Sequence, residues 1–204
     1  MVTWTVANLV SYSYHDQVEP RRRAYVQTTN APDEHVILLD EEGRHIGTAP
    51  KYSMHGADTV LHLAFSCYVF NPLGAVLVTR RALTKTAWPG VWTNSFCGHP
   101  LPAEPLTQAV TRRASFELGL ELDTLDLALP LFRYRATDSG GIVENEICPV
   151  YLATTLQEPT PNPDEVAEYA WTRPADLSRA VTDAPWAFSP WMALQVQELE
   201  VFRA

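Results

Sequence analysis

Two glutamates two residues apart, Glu144 and Glu146, sit in an otherwise largely apolar stretch over 142–155. On a strand such residues face the same side, about 7 Å apart. Like charges that close repel unless something cationic lies between them. Arg133 and Arg135 on a neighbouring strand could supply that charge, and so could a metal ion. His55 and His62 straddle a loop-to-strand junction, and His99 lies in Cys97-Gly98-His99-Pro100. Each is ordinary alone: a surface or hydrogen-bonded histidine, a core cysteine beside a turn. Together, three imidazoles and two carboxylates make a nitrogen and oxygen donor set without thiolate. Such a set suits a six-coordinate divalent ion, Mn2+ or Mg2+, with Zn2+ also compatible. Gly98 would let a ligand or metal approach the backbone closely.

These side chains are scattered along the chain, so strands must gather them. Residues 35–40 read as a strand ending in the turn Glu41-Glu42-Gly43. The long apolar run over 61–70 reads as a buried strand that returns at 75–79 through Asn71-Pro72-Leu73-Gly74, a hairpin. Residues 84–100, rich in Trp, Pro and Gly, read as a packed loop. A helix is predicted over 105–118: Pro105 suits its first turn, Glu104 its positive end and Gly119 its stop. Ala109, Val110, Ala114 and Leu118 form its apolar stripe. Strands follow over 131–137 and 142–155 around a turn at 138–141, with another over 166–172. Helices close the chain over 174–181 and 189–202. The fold class is α/β, a mixed sheet flanked by helices. One domain is expected over 35–204, with 1–34 an N-terminal extension whose Arg21-Arg22-Arg23 triplet is solvated.

The 204 residues suit one such domain, and 46% hydrophobic content excludes a disordered chain. A net charge of −9 argues against a broad basic surface for nucleic acid. An anionic substrate must therefore meet a local cluster of cations. No apolar run approaches the roughly 18 residues of a membrane span. The first ten residues lack the basic start of a secretory signal. With three cysteines and no zinc-like pairing, a cytoplasmic protein with reduced thiols is expected.

Residues 98–120, GHPLPAEPLTQAVTRRASFELGL, resemble the Nudix box, a loop–helix–loop signature. Gly98, Glu104, Arg112, Glu117, Gly119 and Leu120 match it. Arg113 and Phe116 stand where the box carries glutamates that help hold the metals of diphosphate hydrolysis, and Ala114 is small for its apolar position. LHLAFS (61–66), TRRALTKTAWPGVWTNS (79–95), CGHP (97–100), FRYRATD (132–138), GIVENEICPV (141–150) and WAFSPWM (186–192) resemble the type I isopentenyl-diphosphate isomerases, a branch of that superfamily. The departures from the box are those this branch shows.

The resemblance implies a Nudix-type fold and the isomerisation of isopentenyl diphosphate to dimethylallyl diphosphate. It implies Cys97 and Glu146 as proton-transfer pair, Tyr134 assisting Glu146, and Trp191 facing a carbocation through its π system. It also implies the metal site of His55, His62, His99, Glu144 and Glu146. A substrate-associated Mg2+ would join the diphosphate to Glu117 and the Cys97 carbonyl. Lys51, Arg81, Lys85 and Arg113 are the candidate diphosphate ligands; Lys51 and Lys85 are the only lysines. Without the resemblance, Trp191 reads as a helix residue packed on the core, and each cation as a surface charge. The expected substrate is a small diphosphate, with no nucleic-acid or membrane partner and a monomeric state. A Nudix hydrolase of a diphosphate and a non-catalytic metal-binding domain are the alternatives. The catalytic reading carries a register condition. A four-residue loop at 138–141 would turn Tyr134 away from Glu146, so a loop of other parity is predicted.

Overall fold

The computed structural model describes residues 34–54 and 56–203. The expected extension over 1–34, except Glu34, lies outside the described residues, as does His55. The described elements are β1 (His35–Leu39), β2 (His45–Pro50), α1 (Lys51–Met54), β3 (His62–Leu63), β4 (Phe65–Phe70) and β5 (Val76–Arg81). Next come β6 (Trp92–Thr93), β7 (Phe96–Gly98), α2 (Leu106–Leu118), β8 (Thr124–Leu129), β9 (Arg133–Thr137) and β10 (Val143–Ile147). Last are β11 (Val150–Thr154), β12 (Val166–Thr172), α3 (Pro174–Asp183) and α4 (Pro190–Glu198).

The strands form two mixed sheets rather than the one expected. The first runs β2-β1-β3-β10-β9 and the second β12-β5-β4-β11-β8, with β6 on β5 and β7 on β4. The long runs over 61–70 and 142–155 are each two strands, one in each sheet. They cross between sheets side by side and parallel, from His62 beside Glu146 to Phe70 beside Thr154. The ladder continues through the crossing: Ala64 N–H donates to Ile147 O and Ser66 N–H to Pro149 O. Pro149 has no N–H of its own to add to a ladder, so the break falls there.

The expected hairpin is pinned only at Phe70 and Val76. Below that point β4 and β5 part, and the segment read as a loop fills the gap: β7 pairs with β4, β6 with β5. The buried Ser95 hydroxyl bridges the opening, accepting from Val69 N–H and donating to Leu77 O, each at 2.7 Å. β2, β8 and α1 were not expected from sequence.

Alternation along β4 sorts the core. Phe65, Cys67 and Val69 pack under α2 with Ala109, Val110, Ala114 and Leu118. Tyr68 faces the other way, onto Trp191, Met192 and Val196 of α4 and Leu177 and Val181 of α3. Helix α2 ends as expected: Gly119 is left-handed at φ 64° and its N–H donates to Ser115 O. Gly98 serves packing. A Cβ there would lie 2.9 Å from both Phe65 Cζ and Arg113 Cγ, so the bare backbone lets α2 sit close on the sheet.

Candidate active site

Pairing of β10 with β9 sets the register on which the site turns. Glu146 lies opposite Tyr134 and Glu144 opposite Ala136, because five residues, 138–142, connect the strands. Asp138 shapes that longer loop, its carboxylate accepting N–H bonds from Gly140 and Ile142. Tyr134 and Glu146 therefore share a face, as the catalytic reading required. Arg133 and Arg135 pair with Ile147 and Asn145, so neither lies opposite Glu144 or Glu146, and Arg133 instead reaches Glu41 at 2.7 Å.

On β3, His62 is fully buried beside Glu146. Its Nδ1 hydrogen-bonds Val60 O at 2.9 Å, which turns Nε2 inward. His99 follows β7, and Arg112 holds its carbonyl at 3.2 Å while making a two-pronged pair with Glu104, both contacts 2.8 Å. The Nudix-box pair thus braces the segment that carries His99.

Three donor atoms converge. His62 Nε2 and His99 Nε2 are 3.2 Å apart, and Glu146 Oε1 lies 3.4 and 3.2 Å from them. Atoms bound at about 2.1 Å around one ion stand about 3.0–3.4 Å apart. Two imidazole nitrogens and a carboxylate oxygen so placed could hold a divalent ion, and their spacing fits one. Glu144, also buried, lies on the same face of β10, and its charge reaches His62.

Electrostatics favour ligation. Burial pushes His99 down to about 3, so its imidazole is neutral, the metal-binding form. Burial also opposes ionisation of Glu146, but hydrogen bonds and charge from His62 and His99 prevail and hold it well below the usual carboxylate range. Burial would lower His62 too, yet the Glu146 hydrogen bond and charge raise it.

Cys97 lies on β7 opposite Ser66. Its thiol donates to Asn94 Oδ1 at 3.2 Å and sits 3.4 Å from Ser66 Oγ. Burial, with a smaller push from Glu146, raises it to about 11, so it is a thiol at neutral pH. Trp191, at the start of α4, is 3% exposed. Its ring centre is 5.6 Å from that of Tyr134 and 5.3 Å from that of Trp88, and its indole N–H donates to Asn94 Oδ1.

Residues 60–194 match the NUDIX domain family model. Over 180 residues the chain is 65% identical to an isopentenyl-diphosphate Delta-isomerase of Agromyces mediolanus, covering 88% of this chain and 87% of that protein. It is 59% identical over 169 residues to the isopentenyl-diphosphate Delta-isomerase of Kocuria rhizophila, covering 83% and 94%. The chain belongs to the isopentenyl-diphosphate Delta-isomerases. More distant likeness supports the fold of this Delta-isomerase family member. A crystal structure from Deinococcus radiodurans superposes with a TM-score of 0.64 at 20% identity, covering 82% of this chain and 99% of that one. A MutT NUDIX hydrolase from Burkholderia pseudomallei gives 0.51 at 23%, covering 68% and 97%.

The cations read from this family member's sequence fall into two groups. Lys51, Lys85 and Arg113 share a charge cluster with Glu34, Glu117 and Glu165. Lys51 pairs with Glu34 at 2.7 Å and Arg113 with Glu117 at 2.6 Å and Glu165 at 3.2 Å; Lys85 pairs with Glu165. Arg81 stands apart from these pairs. Its Nε and Nη2 donate to Ala87 O, and its guanidinium lies 5.6 Å from the Trp191 ring centre. Sequence reasoning missed Glu165, Ser66 and Asn94. Glu165 falls between a proline-rich stretch over 158–164 that reads as loop and the strand over 166–172, and no spacing links Ser66 or Asn94 to Cys97.

Proposed function

We propose that this chain interconverts isopentenyl diphosphate and dimethylallyl diphosphate, with Cys97 and Glu146 as the proton-transfer pair. The carrying observation is the convergence of His62, His99 and Glu146, with Tyr134 directly across from Glu146 on the next strand. The reaction adds a proton to one carbon of an unactivated alkene and removes one from another. A tertiary carbocation-like species lies between, which water would trap, so the site must be dry.

The resting charge states suit a shuttle. Cys97 is protonated and Glu146 ionised, so one partner holds a proton and the other can accept one. Tyr134, its ring tilted 40° to that of Trp191, assists Glu146. Trp191 offers its π face to the cation, an attraction of about 0.5–2 kcal/mol. His55, His62, His99, Glu144 and Glu146 would hold a divalent ion, with Mn2+, Mg2+ and Zn2+ all compatible with the donors. When bound, that ion fixes the aim of Glu146 and tunes its acidity.

Lys51, Lys85, Arg113 and Arg81 bind the diphosphate. Three of these cations are already balanced by Glu34, Glu117 and Glu165. A diphosphate therefore needs further positive charge, which supports a Mg2+ bound with it that Glu117 and the Cys97 carbonyl would help hold. We take the protein to be a cytoplasmic monomer with no nucleic-acid or membrane partner. Its net charge of −9 argues against a nucleic-acid partner, and no helix among the described residues is long and apolar enough to cross a membrane.

The test strips the protein with a chelator, reloads it with Mn2+ or Mg2+, and supplies isopentenyl diphosphate. Acid-labile allylic diphosphate that depends on metal supports the reading. Inorganic phosphate without allylic product moves the assignment to a Nudix hydrolase.

A further inference from the structure

Asn94 is fully buried between β6 and β7, and its amide is saturated. The Nδ2 group donates to Cys67 O at 3.1 Å and Phe96 O at 2.7 Å. These two bonds fix which way the amide faces, since a flip would aim its oxygen at two carbonyl oxygens. The Oδ1 atom accepts from the Thr93 hydroxyl at 2.8 Å, the Trp191 indole N–H at 2.9 Å and the Cys97 thiol at 3.2 Å.

One atom therefore ties together two side chains that the chain supplies from far-apart elements, Cys97 from β7 and Trp191 from α4. The donated bonds anchor that atom to the backbone of β4 and β7. On its other side the Cys97 sulfur meets Ser66 Oγ, whose own position is held by Gln195 Nε2 at 2.9 Å. With its S–H committed to Asn94, the thiol is held in one rotamer. The indole, held through its N–H, cannot turn about its own axis.

We infer that Asn94 is a positioning residue for isomerisation: it fixes the Cys97 thiol and the Trp191 ring relative to each other across the reacting centre. The inference rests on the roles proposed above for Cys97 and Trp191. A core amide that merely held β6 and β7 together would affect stability; a positioning residue must also affect the chemical step. Misplacing a reacting group by about 1 Å costs about 100-fold in rate.

The experiment uses Asn94→Leu, which keeps the shape and loses every hydrogen bond, and Asn94→Asp, whose protonated form keeps an acceptor for the thiol and indole and an O–H for the Phe96 carbonyl. Turnover of isopentenyl diphosphate is measured with the metal-loaded enzyme. Asn94→Leu is expected to lose about 100-fold in kcat with KM within about threefold, and Asn94→Asp to recover at least about tenfold of that loss. The Trp191 indole N–H, assigned in 15N-tryptophan-labelled protein with Trp191→Phe, is expected to exchange slowly in the wild type. In Asn94→Leu it should lose that protection. Should Asn94→Leu not fold, the wild-type indole exchange and the Asn94→Asp turnover decide. A folded Asn94→Leu with kcat within about threefold of wild type overturns the inference, as does an unprotected wild-type indole, or Asn94→Asp no better than a misfolded control. Cys97→Ala and Trp191→Ala separate the two levels. If they retain turnover, the proposed roles fail; if they lose it while Asn94→Leu does not, only the inference fails.

Discussion

Replacing Glu165 by glutamine should cost about 3 kcal/mol of stability at neutral pH. Glu165 is 6% exposed and lies between Lys85 and Arg113. Burial alone would raise its pKa, yet Arg113 and Lys85 outweigh burial and bring it from 4.5 down to about 2. That lowering corresponds to about 3 kcal/mol favouring the ionised form. Glutamine is the neutral isostere of the protonated acid, so the substitution removes this contribution while keeping the volume. The sign follows from the lowered value. A carboxylate with a depressed folded pKa stabilises the protein fully above the unfolded value, and the gain is lost as pH falls toward about 2. The difference between wild type and Glu165→Gln should be constant from pH 8 to about pH 5.5 and shrink to about 2 kcal/mol by pH 3.5. Urea unfolding of both proteins across that range measures it. A difference below about 1 kcal/mol at pH 7, or one that does not narrow in acid, would refute the electrostatic account of this cluster.

Other perturbations probe the metal cluster and the packing beneath it. Removing one of three converging donors with His99→Ala should abolish tight Mn2+ binding in a calorimetric titration; unchanged stoichiometry and affinity would contradict the site. Affinity for Mn2+ should fall at least about tenfold per pH unit below the raised pKa of His62, whose proton the ion must displace. A flat profile between pH 5.5 and 8 would count against His62 as a ligand. Gly98→Ala places a methyl 2.9 Å from Phe65 and Arg113 and should destabilise by about 1–3 kcal/mol in thermal or urea melts. A neutral result would show that α2 can move away from the sheet at little cost.

Most of the elements and much of the donor set were legible in the residues. Helix α2 carried its own start, stripe and stop, and His62, His99 and Glu146 were identifiable by donor chemistry. Parity alone predicted that the loop at 138–141 must differ from four residues by an odd number if Tyr134 is to meet Glu146, and the loop is 138–142. What the sequence hid was long-range. Apolar runs over 61–70 and 142–155 look continuous, because a strand that changes sheets stays buried on both sides of the crossing. β2 contains Gly47 and Pro50, local breakers that pairing with β1 overrides. β8, Thr124–Leu129, holds three leucines, an aspartate and an alanine, a pattern with no strong strand preference. Glu165 and Asn94 gain their meaning only from partners brought to them by folding, Arg113 and Lys85 for one, Cys97 and Trp191 for the other.

The most direct trial follows isopentenyl diphosphate by proton NMR with metal-loaded protein in deuterated water. Proton transfer through Cys97 and Glu146 predicts dimethylallyl diphosphate carrying solvent deuterium, with the diphosphate intact and no product in Cys97→Ala. Release of phosphate with the alkene unmoved would contradict it.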